Sequence, residues 1–133
     1  MKWCLQKMYK KGVMMADILV LDDVFDAAVL IKKILERKGH RVVAFHEEQD
    51  ALSYVEREPV DLAILDIKLK KMSGIDVLEE MKKSNVSMKA IMLTGYPTIE
   101  TAQQALALGA SEYCVKPIDK RELEDKVEST LAG

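Results

Sequence analysis

Apolar and polar positions in this chain fall into alternating blocks. Short, nearly unbroken apolar runs are followed by longer stretches in which apolar residues recur at helical spacing, and the alternation occurs five times. Asp17 to Leu21 reads as a strand covered on both faces. Val24 to Lys38 reads as a helix whose buried stripe is Ala27, Leu30, Ile31, Ile34 and Leu35, with Gly39 suited to the cap beyond its end. Arg41 to Phe45 is predicted as a second strand, placed near a sheet edge because of its Arg. Gln49 to Glu58 is a weaker helix stopped by Pro59.

The pattern then repeats. Leu62 to Leu65 is a strand, and Gly74 to Ser84 is a helix with Ile75, Leu78 and Met81 inward. Lys89 to Leu93 is a strand, and Thr98 to Leu108 is a helix opened near Pro97 and ended by Gly109. Tyr113 to Val115 is the last strand. The last helix starts at Asp119, which with Glu122 makes an acidic variant of a capping box, and its stripe is Leu123, Val127 and Leu131. Such alternation predicts an α/β domain, a parallel sheet sandwiched by helices through right-handed crossovers. Ligands of such sheets bind outside the carboxyl ends of the strands.

Four runs end on polar residues suited to a phosphoryl group. The first runs into Asp22 and Asp23, the third into Asp66, the fourth into Thr94 and the fifth into Lys116-Pro117. Each has a plain alternative. Asp22 or Asp23 can cap the first helix, Asp66 can be a turn residue, Thr94-Gly95 a turn, and Lys116-Pro117 a loop. The set at successive strand ends is what points to function. Two carboxylates about 4 Å apart repel by roughly 4 kcal/mol at an effective dielectric near 20. A hard divalent cation, magnesium above all, relieves this through oxygen ligands. A carboxylate is a competent nucleophile toward phosphoryl groups, and a lysine and a hydroxyl can hold the remaining oxygens.

Composition narrows the classes. The chain has 133 residues, 49% of them hydrophobic, with a net charge of -2, a single-domain profile that gives no case for direct nucleic-acid or membrane binding. Cys4 and Cys114 make neither a disulfide framework nor a metal set, so a reducing, cytoplasmic location is expected. Residues 1–14 stand apart, with Lys2, Lys7, Lys10 and Lys11 and no acid before Asp17. They read as a frayed, disordered basic tail or as sequence before a start at Met14 or Met15. A short amphipathic helix for a partner or membrane surface is the alternative. The domain itself is expected over 15–133.

The chain resembles the receiver domain of bacterial two-component response regulators over about Ala16 to Leu131. The features that carry the resemblance are Leu21-Asp22-Asp23, Leu65-Asp66, Met72-Ser73-Gly74, Leu93-Thr94-Gly95, Gly109-Ala110 and Val115-Lys116-Pro117. The resemblance implies a flavodoxin-like, doubly wound (βα)5 fold with strand order 2-1-3-4-5. It implies that Asp66 accepts phosphate from a histidine kinase or histidine phosphotransfer protein. Asp23, Asp66 and the main-chain carbonyl of Lys68 would hold magnesium, for which manganese could substitute, and Asp22 would act through water on the ion. Thr94 and Lys116 would contact the phosphoryl oxygens, Tyr113 would turn inward when Thr94 moves, and the Lys116-Pro117 peptide would be cis. Lys68 and Tyr96 sit where the family tunes the lifetime of the phosphate.

The implied function is a magnesium-dependent, self-phosphorylating switch with slow autodephosphorylation, not a conventional turnover enzyme. Its readout would be the surface of the fourth helix, fifth strand and fifth helix, acting on a downstream protein, an output domain or a phosphorylation-dependent second copy. Thr94 to Ile118 is similar to receivers attached to enhancer-binding regulators. A magnesium phosphatase of the haloacid dehalogenase type is a rival, but it places its acids as Asp-x-Asp after the first strand, where this chain has adjacent Asp22-Asp23. A flavin carrier would need a hydroxyl- and Gly-rich loop where Asp22-Asp23-Val24-Phe25 stands. Other candidates read plainly. Tyr113 and Cys114 are packed strand residues on sequence alone. His40 and His46 lack metal partners. Lys68, Lys70 and Lys71 form a solvated basic loop that could dock an acidic partner. Ala102, Ala105, Leu106 and Leu108 exceed one buried stripe.

Overall fold

A computed structural model describes residues 15–133. The expectations for the N-terminal tail lie outside the described residues. Among the described residues five strands and five helices alternate: β1 Asp17–Leu21, α1 Phe25–Arg37, β2 Arg41–Phe45, α2 Glu48–Arg57, β3 Leu62–Asp66, α3 Gly74–Ser84, β4 Lys89–Thr94, α4 Ile99–Ala107, β5 Glu112–Val115 and α5 Lys120–Ala132. The strands form one sheet in the order β2-β1-β3-β4-β5, and each neighbouring pair is parallel. The Arg-bearing strand β2 is at an edge, as its sequence predicted.

Strand pleating explains why the runs are apolar throughout. Leu19, Leu21, Ala63, Leu65, Ala90 and Met92 project to the face covered by α2, α3 and α4, where they meet Ala51, Val55, Leu78, Met81 and Ala105. Their sequence neighbours Ile18, Val20, Leu62, Ile64, Ile91 and Leu93 project to the other face, against Ala28, Ile31 and Leu35 of α1 and Leu123 and Val127 of α5. Burial of each large aliphatic side chain here contributes about 1.5–3 kcal/mol. The stripe of α1 differs from expectation by a rotation: Leu30 is exposed, and Ala28 faces the sheet instead. Two positions apart on a helix, Ala28 and Leu30 point to nearly opposite sides, so only one of them can face the sheet.

The helix ends show local causes. Ser73, Thr98 and Asp119 cap α3, α4 and α5 by accepting the backbone N–H of Ile75, Thr101 and Glu122 at 3.0, 3.0 and 2.8 Å. After α1 and α4 the chain reverses through Gly39 and Gly109, with φ of +96° and +85°, a conformation glycine adopts without Cβ strain. At each, the next two N–H groups return to the last turn: Gly39 to Glu36 and His40 to Leu35, Gly109 to Leu106 and Ala110 to Ala105. Among the described residues no helix is long and apolar enough to cross a membrane.

Candidate functional site

The acidic residues arrive at one sheet edge because β1 and β3 are adjacent and in register, Leu21 opposite Leu65. Asp22 and Asp66 are the next residues along the two strands. The ladder continues one step past β1, where Asp22 N–H donates to the Phe45 carbonyl at 3.1 Å. On the far side, Lys116 N–H donates to the Thr94 carbonyl at 2.7 Å, which carries Lys116 past the end of β5. The Lys116-Pro117 peptide is cis. The lysine ammonium lies 2.7 Å from Asp22 Oδ2 and 3.0 Å from Asp66 Oδ2, so it bridges the two carboxylates. Asp22 and Asp66 are buried, at 2% and 7% exposure, whereas Asp23 is half-buried.

One ligand oxygen or more from each of Asp22, Asp23 and Asp66 lies within 4.8 Å of the others. Three carboxylates against one ammonium leave this cluster with an uncompensated charge of about -2 when all are ionised. The Asp66 carboxyl is pushed above its ordinary range by burial; Lys116 pulls the other way, and Asp22 adds to the rise. Burial alone would depress Lys116, but its bonds to Asp22 and Asp66 hold the ammonium above its ordinary range, so it stays charged. A donor set of hard, anionic oxygens with residual negative charge fits a divalent cation such as magnesium.

Each neighbour has a definite place. Lys68 N–H donates to Asp66 Oδ1 at 3.2 Å, and the Lys68 ammonium lies 4.3 Å from the centroid of the Tyr96 ring. Thr94 is fully buried at the end of β4, and its hydroxyl accepts the Tyr96 N–H at 3.0 Å, which leaves its own proton to donate. A surface cavity of about 380 Å³ opens between this loop and the β3–α3 loop, lined by Lys68, Lys71, Met72, Thr94 and Tyr96 among others.

The structure thus brings Asp22, Asp23, Asp66 and Lys116 together, with Thr94 on the next strand over. Tyr113 is elsewhere: its hydroxyl lies 2.7 Å from Thr101 Oγ1 and accepts the Thr98 N–H at 3.3 Å, at the start of α4. Neither Asp22 nor Asp23 is the capping residue of α1, which is Val24; Asp22 Oδ1 instead accepts the Val24 N–H at 2.9 Å. His40 takes a structural part, its Nδ1 accepting the Ala16 N–H at 3.2 Å, and His46 packs edge-on against Phe25. Cys114 is buried in the core, where burial pushes its thiol pKa up.

Two further residues shape the site, one that the sequence showed only as part of a motif and one that it missed. Gly74 lies where a Cβ would come 2.0 Å from the Asp66 carbonyl oxygen, so the helix start presses against the end of β3. Glu48 is buried, and its Oε2 accepts the N–H groups of Lys71 and Met72 at 2.6 and 3.1 Å. Gly74 was visible as part of a motif; nothing in the sequence sets Glu48 apart from Glu47.

Comparison with known proteins identifies the family. The response regulator receiver domain family matches residues 18–128. Transcriptional regulatory protein ZraR of Salmonella typhimurium is 34% identical over 116 residues, covering 87% of this chain and 26% of that protein. Sporulation initiation phosphotransferase F of Bacillus subtilis is 31% identical over 114 residues, covering 86% of this chain and 92% of that one. A CheY-like receiver domain from Methanospirillum hungatei superposes with a TM-score of 0.86 at 36% identity, covering 89% of this chain and 94% of that one. The chain spans about a quarter of the length of ZraR and nearly all of the sporulation protein. By its sequence, strand order and sheet-edge site, the chain belongs to the response regulator receiver domain family, the phospho-acceptor switches of two-component systems.

Proposed function

We propose that Asp66 is the phosphoacceptor of this receiver domain and that a histidine kinase or histidine phosphotransfer protein is its donor. The observation that carries this reading is the Lys116 ammonium bridging Asp22 and Asp66 at the carboxyl edge of the sheet. Asp66 is the central acid, with one oxygen on Lys68 N–H and the other on Lys116. In the transfer, an Asp66 carboxylate oxygen forms a bond to phosphorus. The donor's phosphorus–nitrogen bond breaks, and its electron pair returns to the imidazole. Lys116 and the Thr94 hydroxyl neutralise charge on the peripheral oxygens.

Asp22, Asp23, Asp66 and the Lys68 carbonyl are the groups that would hold magnesium. When bound, the ion supplies charge neutralisation for the transferring group. Lys68, whose N–H bonds Asp66 and whose ammonium stacks on Tyr96, would hinder the approach of water, which fits slow autodephosphorylation and a switch.

The readout is the face around α4, where Ile99 and Leu106 are exposed at 79% and 64%. Its target is a downstream protein or an attached output domain. The mass of the intact chain after incubation with magnesium and a small acyl-phosphate donor tests the assignment. Wild type gains one phosphoryl group. Gain of an acid-stable, base-labile phosphoryl group by Asp66→Asn defeats it.

A further inference from the structure

We infer that Glu48 is a positioning residue for the proposed magnesium and phosphoryl site, because it fixes the β3–α3 loop that presents the Lys68 carbonyl. The inference rests on the assignment of that site to Asp22, Asp23, Asp66 and Lys68.

Glu48 is the first residue of α2, and its side chain is 3% exposed as a residue. Burying a carboxylate is costly unless its oxygens are well hydrogen-bonded. Here Oε2 accepts two backbone N–H groups, from Lys71 at 2.6 Å and Met72 at 3.1 Å. Burial opposes its ionisation, yet its own N–H and those of Lys71 and Met72 outweigh this and hold the carboxyl below its ordinary range. It is therefore charged at neutral pH, at the end of α2 where the helix dipole also favours an anion.

An acid at the first turn of a helix commonly serves that helix alone. Glu48 does more, since its acceptors' partners lie 23 and 24 residues away on another loop. Glu47 sits at the capping position of α2, makes no side-chain cap bond, and ion-pairs instead with the Lys71 side chain at 3.6 Å. Two neighbouring acids of α2 thus grip one stretch of loop.

That stretch is the outer limb of the loop from Ile67 to Ser73. Its inner limb is tied to the site: Lys68 N–H donates to Asp66 Oδ1 at 3.2 Å, and Gly74 N–H donates to the Ile67 carbonyl at 2.7 Å. With both limbs held, the backbone between them has little freedom, and the Lys68 carbonyl is in that held segment. Without Glu48, the N–H groups of Lys71 and Met72 must find water, and the outer limb moves outward. A ligand that must then be ordered on binding weakens the cation.

The test is a magnesium titration of the full chain, followed by amide NMR shifts without any phosphoryl donor. Three variants accompany wild type: Glu48→Ala, Glu48→Gln and Val55→Ala. Val55 is a buried residue on the same helix and reports loss of packing alone. Glu48→Ala should weaken magnesium roughly tenfold, the usual effect of removing a group that orients a metal ligand. Glu48→Gln keeps one acceptor oxygen and should recover part of that loss, and it decides the matter if Glu48→Ala does not fold. Val55→Ala should bind as wild type does. Magnesium affinity within about twofold of wild type in both Glu48 variants overturns the inference, as does equal weakening by Val55→Ala. Absence of saturable magnesium binding in wild type overturns the site assignment itself.

Discussion

Tyr113 of β5 and Thr101 of α4 are joined through their hydroxyls at 2.7 Å, and the Thr98 N–H donates to the same tyrosine oxygen at 3.3 Å. The strand that leads to Lys116 is therefore fastened to the first turn of the most weakly buried helix. Only Ala105 of α4 is buried, so this polar fastening is a large part of what holds its N-terminal end. A net hydrogen bond contributes about 1 kcal/mol, so Tyr113→Phe should speed amide hydrogen exchange of Thr101 and Ala102 roughly fivefold. Unchanged exchange there would show that the ring contact, not the hydroxyl, holds the turn.

The same fastening would give a phosphoryl group at Asp66 a route to the surface. A phosphoryl group at Asp66 would draw the Thr94 hydroxyl toward it. The Thr94–Gly95–Tyr96 segment leads directly into α4, whose cap Thr98 depends on Tyr113. Thr94→Ala should still bind a phosphoryl mimic, but the amide shifts it induces from Ile99 to Leu108 should shrink to a small fraction of those in wild type. Full shifts in the variant would place the coupling elsewhere.

The fold was legible because the three central strands are buried on both faces and each helix on one. Those two patterns are distinct in sequence, and the order of elements followed. Site residues were legible where chemistry and position coincide, at strand ends. What was hidden depends on approach between segments distant in the chain. Leu30 and Ala28 exchanged roles because a helix's rotation is set by how closely it packs, not by its own spacing. Glu48 looked like any surface acid, since its partners are backbone N–H groups that no side-chain pattern announces. The link from Tyr113 to Thr101 was hidden because it depends on how α4 lies against β5.

Gly74 makes a clear case of close approach. A Cβ there would stand 2.0 Å from the Asp66 carbonyl oxygen and 2.9 Å from Ile67 Cα, both backbone atoms that cannot rotate away. Gly74→Ala must push α3 from β3 or distort the loop that bears Lys68. Destabilisation of about 3 kcal/mol is expected from overpacking of this kind, read by urea unfolding. A change under about 0.5 kcal/mol would mean that the helix start is free to shift.

Acid unfolding should carry the signature of Glu48. A carboxyl held below its ordinary value of 4.5 contributes stability that is fully present above that value and is lost as pH falls through the depressed one. Asp66 runs the opposite way: raised from 3.8, it contributes below that value and loses its contribution as pH rises through the raised one. The comparison that isolates Glu48 is wild type against Glu48→Gln. The stability difference between them should be constant from neutral pH down to about 5 and should shrink below it. A difference that does not change with acid would show that the Glu48 charge adds nothing to its two backbone bonds.

The acidic cluster itself should be a source of instability without a cation. Asp66 is buried beside Asp22, and burial pushes its carboxyl upward despite Lys116. At neutral pH its ionised form therefore costs more in the folded chain than in the unfolded one. Asp66→Asn removes that charge, and the amide oxygen can still accept from Lys116, which keeps its bond to Asp22. In metal-free buffer the variant should melt higher than wild type by roughly 3 °C, corresponding to about 1 kcal/mol. Magnesium should reverse the order. It binds the folded wild type through the full acidic set and raises its melting temperature with concentration, while the variant, lacking one ligand charge, should respond far less. Melting curves of both proteins with and without magnesium check this directly. A wild type that is the more stable of the two in metal-free buffer would mean that Lys116 already neutralises the cluster, and that repulsion among the carboxylates is not what recruits the cation.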